Sequence, residues 1–262
     1  MGSYEESRLN KLMNEGIVVF ADSYVGEKVV SWLVENFSED KFLIFTTEKN
    51  SITEICIKNE IPTEVFVNED AALKIINKYN YQFKIGFLVW WPKIITSKMF
   101  SITEYGFVNT HPSLLPFSRG RNYNFWTIVE ESPFGVSIHC VEEGIDNGDI
   151  IAQKEIDYCW IDTGGSLFKK ARIEMIKLFK DNYVAIRDVN FIRKKQDLSK
   201  GSVHYGNELE SACEIDLNAQ YVAKNLINLF RARTMEGYPG CYFFKDDKKY
   251  EIQISIKEVA VN

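Results

Sequence analysis

The chain has 262 residues, 45% of them hydrophobic, which is enough to bury a sizeable core in one large domain or in one domain with a modest appendage. Its formal net charge of -6 and its pI of about 5.3 argue against a surface that neutralises nucleic-acid phosphates, so no nucleic-acid partner is expected. Five widely spaced cysteines with no C-x-x-C pair argue against a disulfide framework or a zinc site and favour a reducing cytoplasm.

The opening segment, MGSYEESRLNKLMNEG, is polar and acidic and lacks the apolar stretch of a signal peptide. We interpret residues 1–12 as a disordered leader or a cloning remnant, with Met13 as a candidate start. No run in the chain approaches the length of a membrane-spanning helix. The sequence therefore predicts a cytoplasmic protein with no membrane partner.

From Gly16 to Val108, short apolar runs alternate with segments of helical periodicity. The strand-like runs are GIVVFA, KFLIFTT, PTEVFV, FKIGFLVWW and GFVN, and the helical segments are SYVGEKVVSWLVENF, SITEICIKNE, EDAALKIINKYN and ITSKMFSI. This strict alternation predicts an α/β fold with a Rossmann-like, mostly parallel sheet. Because GFVN is the fifth strand, Asn109 and His111 should lie at its carboxyl end, where open parallel sheets bind ligands.

After a loop to Gly120, the pattern predicts a helix in NYNFWTIVEE and two strands, FGVSIHCV and DIIAQKEI, around the turn EEGIDNGD. A long helix follows from GGSLF. The charged segment FIRKKQDLSKGSVHYGNELESACE is interpreted as a surface linker, and the tail as one amphipathic helix and two strand-like runs joined by Asp-Asp. We therefore predict a core over residues 13–195 and, over 196–262, a linker with a small C-terminal helix and β-hairpin.

The step Asn-Thr-His-Pro interrupts an apolar run with polar side chains. Because side chains alternate along a strand, Asn109 and His111 point to one side and Thr110 to the other. Pro112 biases His111 toward an extended backbone, which prolongs the strand geometry. An amide and an imidazole are thus aimed at one small volume.

Asp146 lies in the turn between the two later strands, a place that is by itself typical of a plain hairpin connection. Since these strands must pair beside the strand that ends in Asn109, the turn can bring the carboxylate to His111. A carboxylate raises the pKa of a neighbouring imidazole, which can then accept a proton from an attacking amine. An amide donor can hold the oxyanion of a tetrahedral intermediate, so the three residues fit an acyl transfer.

The blocks NTHPSLLPFSRGR and FGVSIHCVEEGIDNGDIIAQ resemble the signature of the folate-dependent formyltransferases, with weaker similarity over residues 16–195. The resemblance implies that Asn109, His111 and Asp146 are catalytic and that 10-formyltetrahydrofolate is the formyl donor. It also implies a folate cleft formed by Trp91, Pro92, Lys93, Ile94, Glu142, Glu143, Gly144 and Ile145. Trp90 and Trp91 also suit an apolar core; of the two, Trp91 is expected near the folate.

The tail bears on the formyl acceptor. Methionyl-tRNA formyltransferases carry a complete C-terminal barrel, for which this tail is too short, and glycinamide ribonucleotide formyltransferases lack such a tail. LFRARTMEGYPGCYFF resembles bacterial sugar N-formyltransferases, nearest to enzymes that act on dTDP-linked 4-amino-4,6-dideoxysugars for O-antigen assembly. A homodimer is implied as well, and apolar tail strands that leave a sheet edge unpaired agree with it. The two other formyltransferase classes and a non-catalytic nucleotide-binding relative stay as alternatives.

A nucleotide-linked sugar carries a diphosphate, which guanidinium groups match well, and a base that aromatic rings can stack on. The arginines at 231 and 233 equally suit a helix end, where their charge complements the dipole. ADSYVG lacks the G-x-G-x-x-G spacing of a dinucleotide site, so a nicotinamide cofactor is not expected. The candidate substrate contacts are Ser23, Tyr24, Arg119, Arg121, Asn122, Asn124, Arg231, Arg233, Tyr238 and Tyr242.

The two remaining histidines are assigned to structure. His139 is predicted to be an ordinary sheet residue on the strand FGVSIHCV, and His204 to lie in the linker. No group of histidine, cysteine and carboxylate residues has metal-ligand spacing, so catalysis is expected to need no metal.

Overall fold

The computed structural model describes residues 15–79 and 82–261. The leader expected for residues 1–12 and the predicted start of the core at Met13 lie outside these residues.

The described strands are β1 (Glu15–Ala21), β2 (Lys41–Thr46), β3 (Thr63–Val65), β4 (Gln82–Val89), β5 (Phe107–His111), β6 (Arg119–Gly120), β7 (Gly135–Cys140), β8 (Ile150–Glu155), β9 (Val203–His204), β10 (Cys241–Lys245) and β11 (Lys248–Ile252). The α-helices are α1 (Ser23–Asn36), α2 (Ser51–Lys58), α3 (Glu69–Ile76), α4 (Ser97–Phe100), α5 (Tyr123–Val129), α6 (Gly164–Arg187), α7 (Glu208–Ala212) and α8 (Ala223–Arg233).

Seven strands form one sheet in the order β3-β2-β1-β4-β5-β7-β8. The first five of these run parallel, and β7 and β8 are antiparallel to their neighbours. The predicted α/β fold with a mostly parallel sheet is confirmed, as is the pairing of the later strands beside β5. Carboxyl ends of β1, β4 and β5 therefore meet at one edge of the sheet.

Both faces of the sheet are covered, which is why its strands are apolar along their whole length rather than on alternate residues. In β1, Val19 packs into the layer formed with α1, α5 and α6, whereas Val18 and Phe20 pack into the layer formed with α3 and α4. All three side chains are fully buried. The helices thus bury the sheet on two sides and leave its carboxyl edge as the place for a site.

The segment predicted as a surface linker is packed more closely than expected. Its strand β9 pairs with β6, and the imidazole of His204 stacks on Trp126 with ring centroids 3.8 Å apart. The two ring nitrogens of His204 lie 2.7 Å from a carboxylate oxygen of Glu130 and 2.9 Å from one of Glu208. A two-residue bridge of this kind has no periodicity, so its sequence reads as a loop.

The C-terminal part consists of α8 and the β10–β11 hairpin, as predicted. Asp246 and Asp247 form its two-residue turn with φ values of 50° and 58°, the left-handed conformation that aspartate tolerates in tight hairpins. The segment after α8 docks on the start of α6, where the amide of Gly165 donates to the carbonyl of Thr234 at 3.0 Å. A Cβ at Gly164 would overlap the carbonyl oxygen of Ala232, so this approach requires glycine.

The described helices include none that is long and apolar enough to cross a membrane.

Candidate active site

Asn109 and His111 lie at the carboxyl end of β5, and His111 is its last residue. β7 pairs with this end so that Asn109 faces His139 and His111 faces Ser137. Both predicted residues project toward Asp146, since Nδ1 of His111 lies 3.4 Å from Oδ2 and Nδ2 of Asn109 lies 3.4 Å from Oδ1. The structure therefore brings the amide, the imidazole and the carboxylate into one cluster.

Asp146 reaches this cluster across the face of the sheet. Because β7 is antiparallel to β5, the β7–β8 loop leaves the sheet level with Phe107, whose carbonyl accepts from the amide of Val141 at 2.8 Å. The loop then folds back, and Oδ2 of Asp146 accepts a hydrogen bond of 3.0 Å from the amide of Gly120. The side chain of Gln196 donates to the carbonyl of Asp146 at 2.9 Å, which fixes the returning turn.

His111 is buried, and its Nε2 has no hydrogen-bond partner among the described residues. Burial lowers the pKa of this imidazole below its usual 6.5 and His139 lowers it further, which together outweigh the opposite effects of Asp146 and of the Ser118 backbone. His111 is consequently neutral at neutral pH. Because Nδ1 faces the carboxylate of Asp146 at 3.4 Å, Nε2 is the ring nitrogen left to accept a proton from a substrate.

Asp146 stays ionised in spite of its burial. Burial raises the pKa of this carboxyl, but His111, His139 and the amide of Gly120 lower it by more, so the pKa lies well below the ordinary 3.8. A carboxylate that remains charged can orient His111 and stabilise the imidazolium that forms when His111 takes up a proton.

His139 was predicted to be an ordinary sheet residue, and the structure corrects this. Its Nε2 lies 3.2 Å from Nδ2 of Asn109 and 3.5 Å from Oδ1 of Asp146, while Nδ1 lies 2.8 Å from the carbonyl of Cys140. The prediction failed because it depends on the register of β5 against β7, which a single sequence does not reveal.

Both hydrogens of the Asn109 side-chain amide consequently face acceptors inside the cluster. Nδ2 faces His139 at 3.2 Å and Asp146 at 3.4 Å. To donate to an oxyanion, as predicted, Nδ2 must exchange one contact for the substrate oxygen, and the longer contact to Asp146 is the weaker one. The side chain lies beside His111, and its amide hydrogens face His139 and Asp146.

The two tryptophans after β4 lie on opposite faces of the sheet. The strand ends at Val89, and Trp90 adopts a left-handed backbone with φ 53°, which breaks the alternation. Trp90 packs near Tyr123, with centroids 6.4 Å apart, whereas Trp91 packs edge-on against Phe20 and Phe66. The indole Nε1 of Trp91 is buried without a partner in the described residues, which leaves a donor available to a ligand.

The other residues expected at the folate cleft form two loops near the cluster. Pro92, Lys93 and Ile94 are exposed, and Lys93 donates to the carbonyl of Phe66 at 3.2 Å. The acidic loop runs through Glu142, Glu143, Gly144 and Ile145 to Asp146. Arg121, predicted to contact the sugar substrate, instead donates to the carbonyl of Pro92 at 2.7 Å and so borders the first loop.

Two predicted substrate contacts after β1 differ in their surroundings. Asp22 caps α1 with its carboxylate, which accepts from the amide of Ser23 at 2.5 Å and from the hydroxyl of Thr47. This charge takes the place where a phosphate would bind, so the structure argues against a phosphate contact at Ser23. Tyr24 is exposed, and the guanidinium of Arg172 lies 4.0 Å from the centre of its ring.

The predicted substrate contacts that follow His111 in the chain also differ from one another in the contacts that they make. The side chain of Asn124 donates to the carbonyl of Gly164 at 2.9 Å and thereby ties α5 to α6, which is a structural role. Asn122 precedes α5 with φ 58° and makes no capping bond there. Arg119 is partly buried, and its Nε has no partner among the described residues.

Arg231 and Tyr242 are corrections to the predicted substrate site. Arg231 is only 4% exposed, and its guanidinium donates to the carbonyls of Cys159 and Asp162 at 2.9 and 3.0 Å. Tyr242 is buried beside Glu214. Neither side chain is free to contact a nucleotide, because each is needed to join the tail to its surroundings.

Arg233 and Tyr238 differ from these two. Arg233 is partly buried under the tail, with a partnerless Nε in the described chain. Tyr238 is exposed, and its carbonyl accepts a hydrogen bond of 3.0 Å from the side chain of Gln253. Among the predicted tail contacts, Tyr238 is thus the one whose side chain is exposed.

No group of three or more histidine, cysteine or acidic side chains within residues 15–79 and 82–261 is arranged to hold a metal ion.

Two family models match the chain. The model described as "Formyl transferase" matches residues 24–180, and the model described as "N-formyltransferase dimerization C-terminal domain" matches residues 208–258. The first covers the sheet strands that follow β1, the β7–β8 loop and most of α6, and the second covers α7, α8 and the hairpin.

Two curated relatives match about half of the chain. A methionyl-tRNA formyltransferase of Agathobacter rectalis is 32% identical over 130 residues, which are 49% of this chain and 41% of the relative. A dTDP-4-amino-4,6-dideoxyglucose formyltransferase of Mycobacterium bovis is 28% identical over 136 residues, 52% of this chain and 58% of the relative. The matches thus span about half the length of either relative.

Solved structures share the fold over most of the chain. A 4-N formyltransferase of Francisella tularensis superposes with a TM-score of 0.80 at 23% identity, covering 95% of this chain and 100% of that one. An N-formyltransferase of Helicobacter canadensis in complex with folinic acid and dTDP-3-aminofucose superposes with a TM-score of 0.70 at 18% identity, covering 89% and 85%. At these identities the likeness concerns the fold.

Proposed function

The chain belongs to the formyl transferase family, and from this premise we propose that it transfers a formyl group from 10-formyltetrahydrofolate to the amino group of a nucleotide-linked sugar. The acceptor that we propose is a dTDP-linked 4-amino-4,6-dideoxysugar. The single observation that carries the proposal is the cluster in which Asp146 faces Nδ1 of His111 and Asn109 lies alongside, while Nε2 has no hydrogen-bond partner among the described residues.

In the proposed reaction the lone pair of the sugar amine forms a bond to the formyl carbon, and the carbonyl oxygen becomes an oxyanion. Nε2 of His111 accepts the proton that the amine loses, and Asp146 stabilises the resulting imidazolium. Nδ2 of Asn109 donates to the oxyanion. Collapse of the intermediate breaks the bond from the formyl carbon to the folate nitrogen, which takes up a proton, so that tetrahydrofolate and the formamide are released.

Folate is proposed to bind between the loop that follows β4 and the acidic β7–β8 loop, and three features support this. The two loops flank the cluster, Trp91 has a buried indole N–H without a partner in the described residues, and the H. canadensis neighbour is a complex with folinic acid. The formyl group would then lie between Asn109 and His111.

A sugar acceptor is supported by the C-terminal part. Its family model covers residues 208–258, the M. bovis relative is named for a dTDP-linked aminosugar, and the F. tularensis neighbour is a 4-N formyltransferase. The product would supply O-antigen or lipopolysaccharide assembly in the cytoplasm, as in the sugar enzymes that the sequence resembles. The "dimerization" description of the C-terminal model supports a homodimer.

Methionyl-tRNA is the second candidate acceptor, because the A. rectalis relative carries that name and is 32% identical over the matched segment. Two features weigh against it. The net charge of -6 gives weak attraction to RNA phosphates. A barrel of the tRNA enzymes' kind would need five strands, whereas the described C-terminal part after α8 has the two strands of one hairpin.

The experiment is a panel of acceptors offered with 10-formyltetrahydrofolate: dTDP- and UDP-linked amino sugars, methionyl-tRNA and glycinamide ribonucleotide. We expect tetrahydrofolate release and a formylated product only with nucleotide-linked amino sugars. Release with methionyl-tRNA alone would transfer the assignment to that acceptor, and the absence of release with every acceptor would refute formyl transfer.

A further inference from the structure

A row of aromatic side chains leads away from His111 and forms a wall beside it. The ring centroids of His111 and Tyr123 are 6.4 Å apart, those of Tyr123 and Trp90 are also 6.4 Å apart, and Trp90 lies 6.2 Å from Phe168 on α6. His111 is buried, whereas the rings of Tyr123, Trp90 and Phe168 are partly exposed. The wall therefore begins at the base of the reaction and ends on α6.

Arg172 lies at the far end of this row, one helical turn after Phe168. Its guanidinium is 4.0 Å from the centre of the Tyr24 ring and 5.5 Å from that of Phe168, so it is held between two aromatic rings. Within residues 15–79 and 82–261, it makes no ion pair or hydrogen bond. A partly buried guanidinium without a carboxylate is an unpaired charge that an anion would satisfy.

Tyr123 carries the second unsatisfied group. Its hydroxyl is buried and has no hydrogen-bond partner in the part of the chain that the structure describes. The rings of Trp90 and Phe168 connect this phenol to Arg172. Burial raises the pKa of the phenol, and the charge of Arg172 acts in the opposite direction. A buried hydroxyl without a hydrogen-bond partner is unfavourable, and a polar group of a ligand would satisfy it.

Resting on the proposed function, we infer that Arg172 binds the diphosphate of the nucleotide-linked substrate and that the Tyr123 hydroxyl binds its sugar. The order along the wall matches the order of groups in such a substrate. The amine lies at Nε2 of His111, the sugar ring spans Tyr123, and the diphosphate, attached to the other side of the ring, reaches Arg172.

Two other cationic places fit a diphosphate less well. The guanidinium of Arg231 already donates to two backbone carbonyls, so it is not available to a phosphate. At the start of α1, the carboxylate of Asp22 occupies the place where a phosphate would bind. Lys28 also faces the Tyr24 ring, at 5.4 Å, but it pairs with Glu27 at 2.8 Å. Lys28 therefore provides a matched control, a nearby cation that should not contact the ligand.

The test compares Arg172→Met, Arg172→Lys, Tyr123→Phe and the control Lys28→Met. Calorimetry with dTDP and with UDP measures the diphosphate site without the sugar. We expect Arg172→Met to raise the dissociation constant of these nucleotides about tenfold or more, Arg172→Lys to raise it less, and Lys28→Met and Tyr123→Phe to leave it unchanged. Arg172→Met should also flatten the dependence of affinity on salt concentration.

Steady-state kinetics with the amino sugar supplies the second readout. Arg172→Met and Tyr123→Phe should each raise KM for the nucleotide sugar about tenfold and leave KM for the folate unchanged. Tyr123→Phe should not lower the melting temperature, because the hydroxyl that it removes has no partner in the free protein. A lower melting temperature with unchanged KM would show that Tyr123 is structural and would overturn its part of the inference.

The outcomes separate the inference from the function on which it rests. Wild-type dTDP affinity in Arg172→Met, or no nucleotide binding by the wild-type protein, overturns the diphosphate site, and turnover of the amino sugar would still uphold the proposed function. Conversely, a wild-type protein that formylates no amino sugar, but loses nucleotide affinity in Arg172→Met, refutes the proposed function and supports the diphosphate site.

Discussion

The reaction needs a neutral His111 beside a charged Asp146, and different parts of their surroundings produce these two states. Removal from water holds the imidazole neutral, while the histidines around the carboxylate keep it ionised. The base and the group that orients it are thus ready at neutral pH before a substrate binds. The unpartnered Nε2 of His111 is the atom on which the chemistry depends.

Replacing either residue should remove catalysis and leave the fold. We expect His111→Ala and Asp146→Asn each to lower the rate of tetrahydrofolate release at saturating substrates by about 10²- to 10⁴-fold, the usual contribution of a general base. Folate affinity should persist in both. Asp149→Asn is the matched control, an aspartate of the same turn without a contact to the cluster, and near-wild-type turnover in Asp146→Asn would refute the role of Asp146.

The pH profile of kcat/KM tests the charges around His111. His111 must be neutral to act, so activity falls as the pH drops through its pKa, and the midpoint of this acid limb should lie below 6.5. Asp146 raises the pKa and His139 lowers it. The residual activity of Asp146→Asn should therefore show a midpoint at lower pH, and His139→Gln one at higher pH. Shifts in the reverse directions would contradict this electrostatic account.

Sequence reasoning predicted that Asn109, His111 and Asp146 come together, as the structure has them, but it did not predict the neighbours that depend on strand register or helix packing. Asn109, His111 and Asp146 follow from strand alternation and the turn. His139 needed the alignment of β7 against β5, and Arg172 needed the docking of α6 beside α1. Arg231 was misjudged because a charged side chain near a helix end usually faces water, whereas this one lies against carbonyls.

At the level of elements, α8 is joined to the core through Arg231. Besides the two carbonyls before α6, its Nε donates to Asn228 at 2.9 Å, and its guanidinium covers the ring of Trp160 at 4.8 Å. Helix α8 also packs against α5, which carries Tyr123. This buried guanidinium thus helps to hold the helix that supports one wall of the cleft.

Arg231→Ala should therefore destabilise the protein rather than weaken nucleotide binding directly. Two buried carbonyls and the Asn228 amide would lose their donor, which should lower the free energy of unfolding by about 3 kcal/mol. Urea denaturation measures this. Arg233→Ala, two residues later without a hydrogen bond in the described chain, should cost about 1 kcal/mol or less. Equal stability with reduced nucleotide affinity in Arg231→Ala would favour a direct contact instead.

Helices and strands whose apolar residues recur with a clear periodicity were predicted from the sequence, and short elements without such a periodicity were not. The alternation of strands and helices through α6 follows from apolar spacing. The predicted helix ITSKMFSI shrinks to α4, and the short pairing of β6 with β9 was read as linker. Both depend on contacts between distant segments, which local propensity does not encode.

At the scale of the whole molecule, the C-terminal hairpin leaves aromatic surface uncovered. Phe244 and Tyr250 are 55% and 43% exposed. We expect the hairpin to form the homodimer interface, so Phe244→Glu with Tyr250→Glu should shift the protein to a monomer in sedimentation velocity at micromolar concentration. Tyr205→Glu, an exposed tyrosine outside the hairpin, should leave the assembly unchanged. A wild-type monomer would refute the proposed dimer.

The central claim is that His111 removes a proton from the amine of a nucleotide-linked sugar as it receives a formyl group. Mass spectrometry of a reaction with 10-formyltetrahydrofolate and dTDP-4-amino-4,6-dideoxyglucose tests it most directly, with His111→Ala alongside. We predict a formamide on the sugar nitrogen, formed with stoichiometric tetrahydrofolate by the wild-type protein and at least about a hundredfold more slowly by the variant. An unmodified sugar with the wild-type protein, or equal rates for both proteins, would contradict the account.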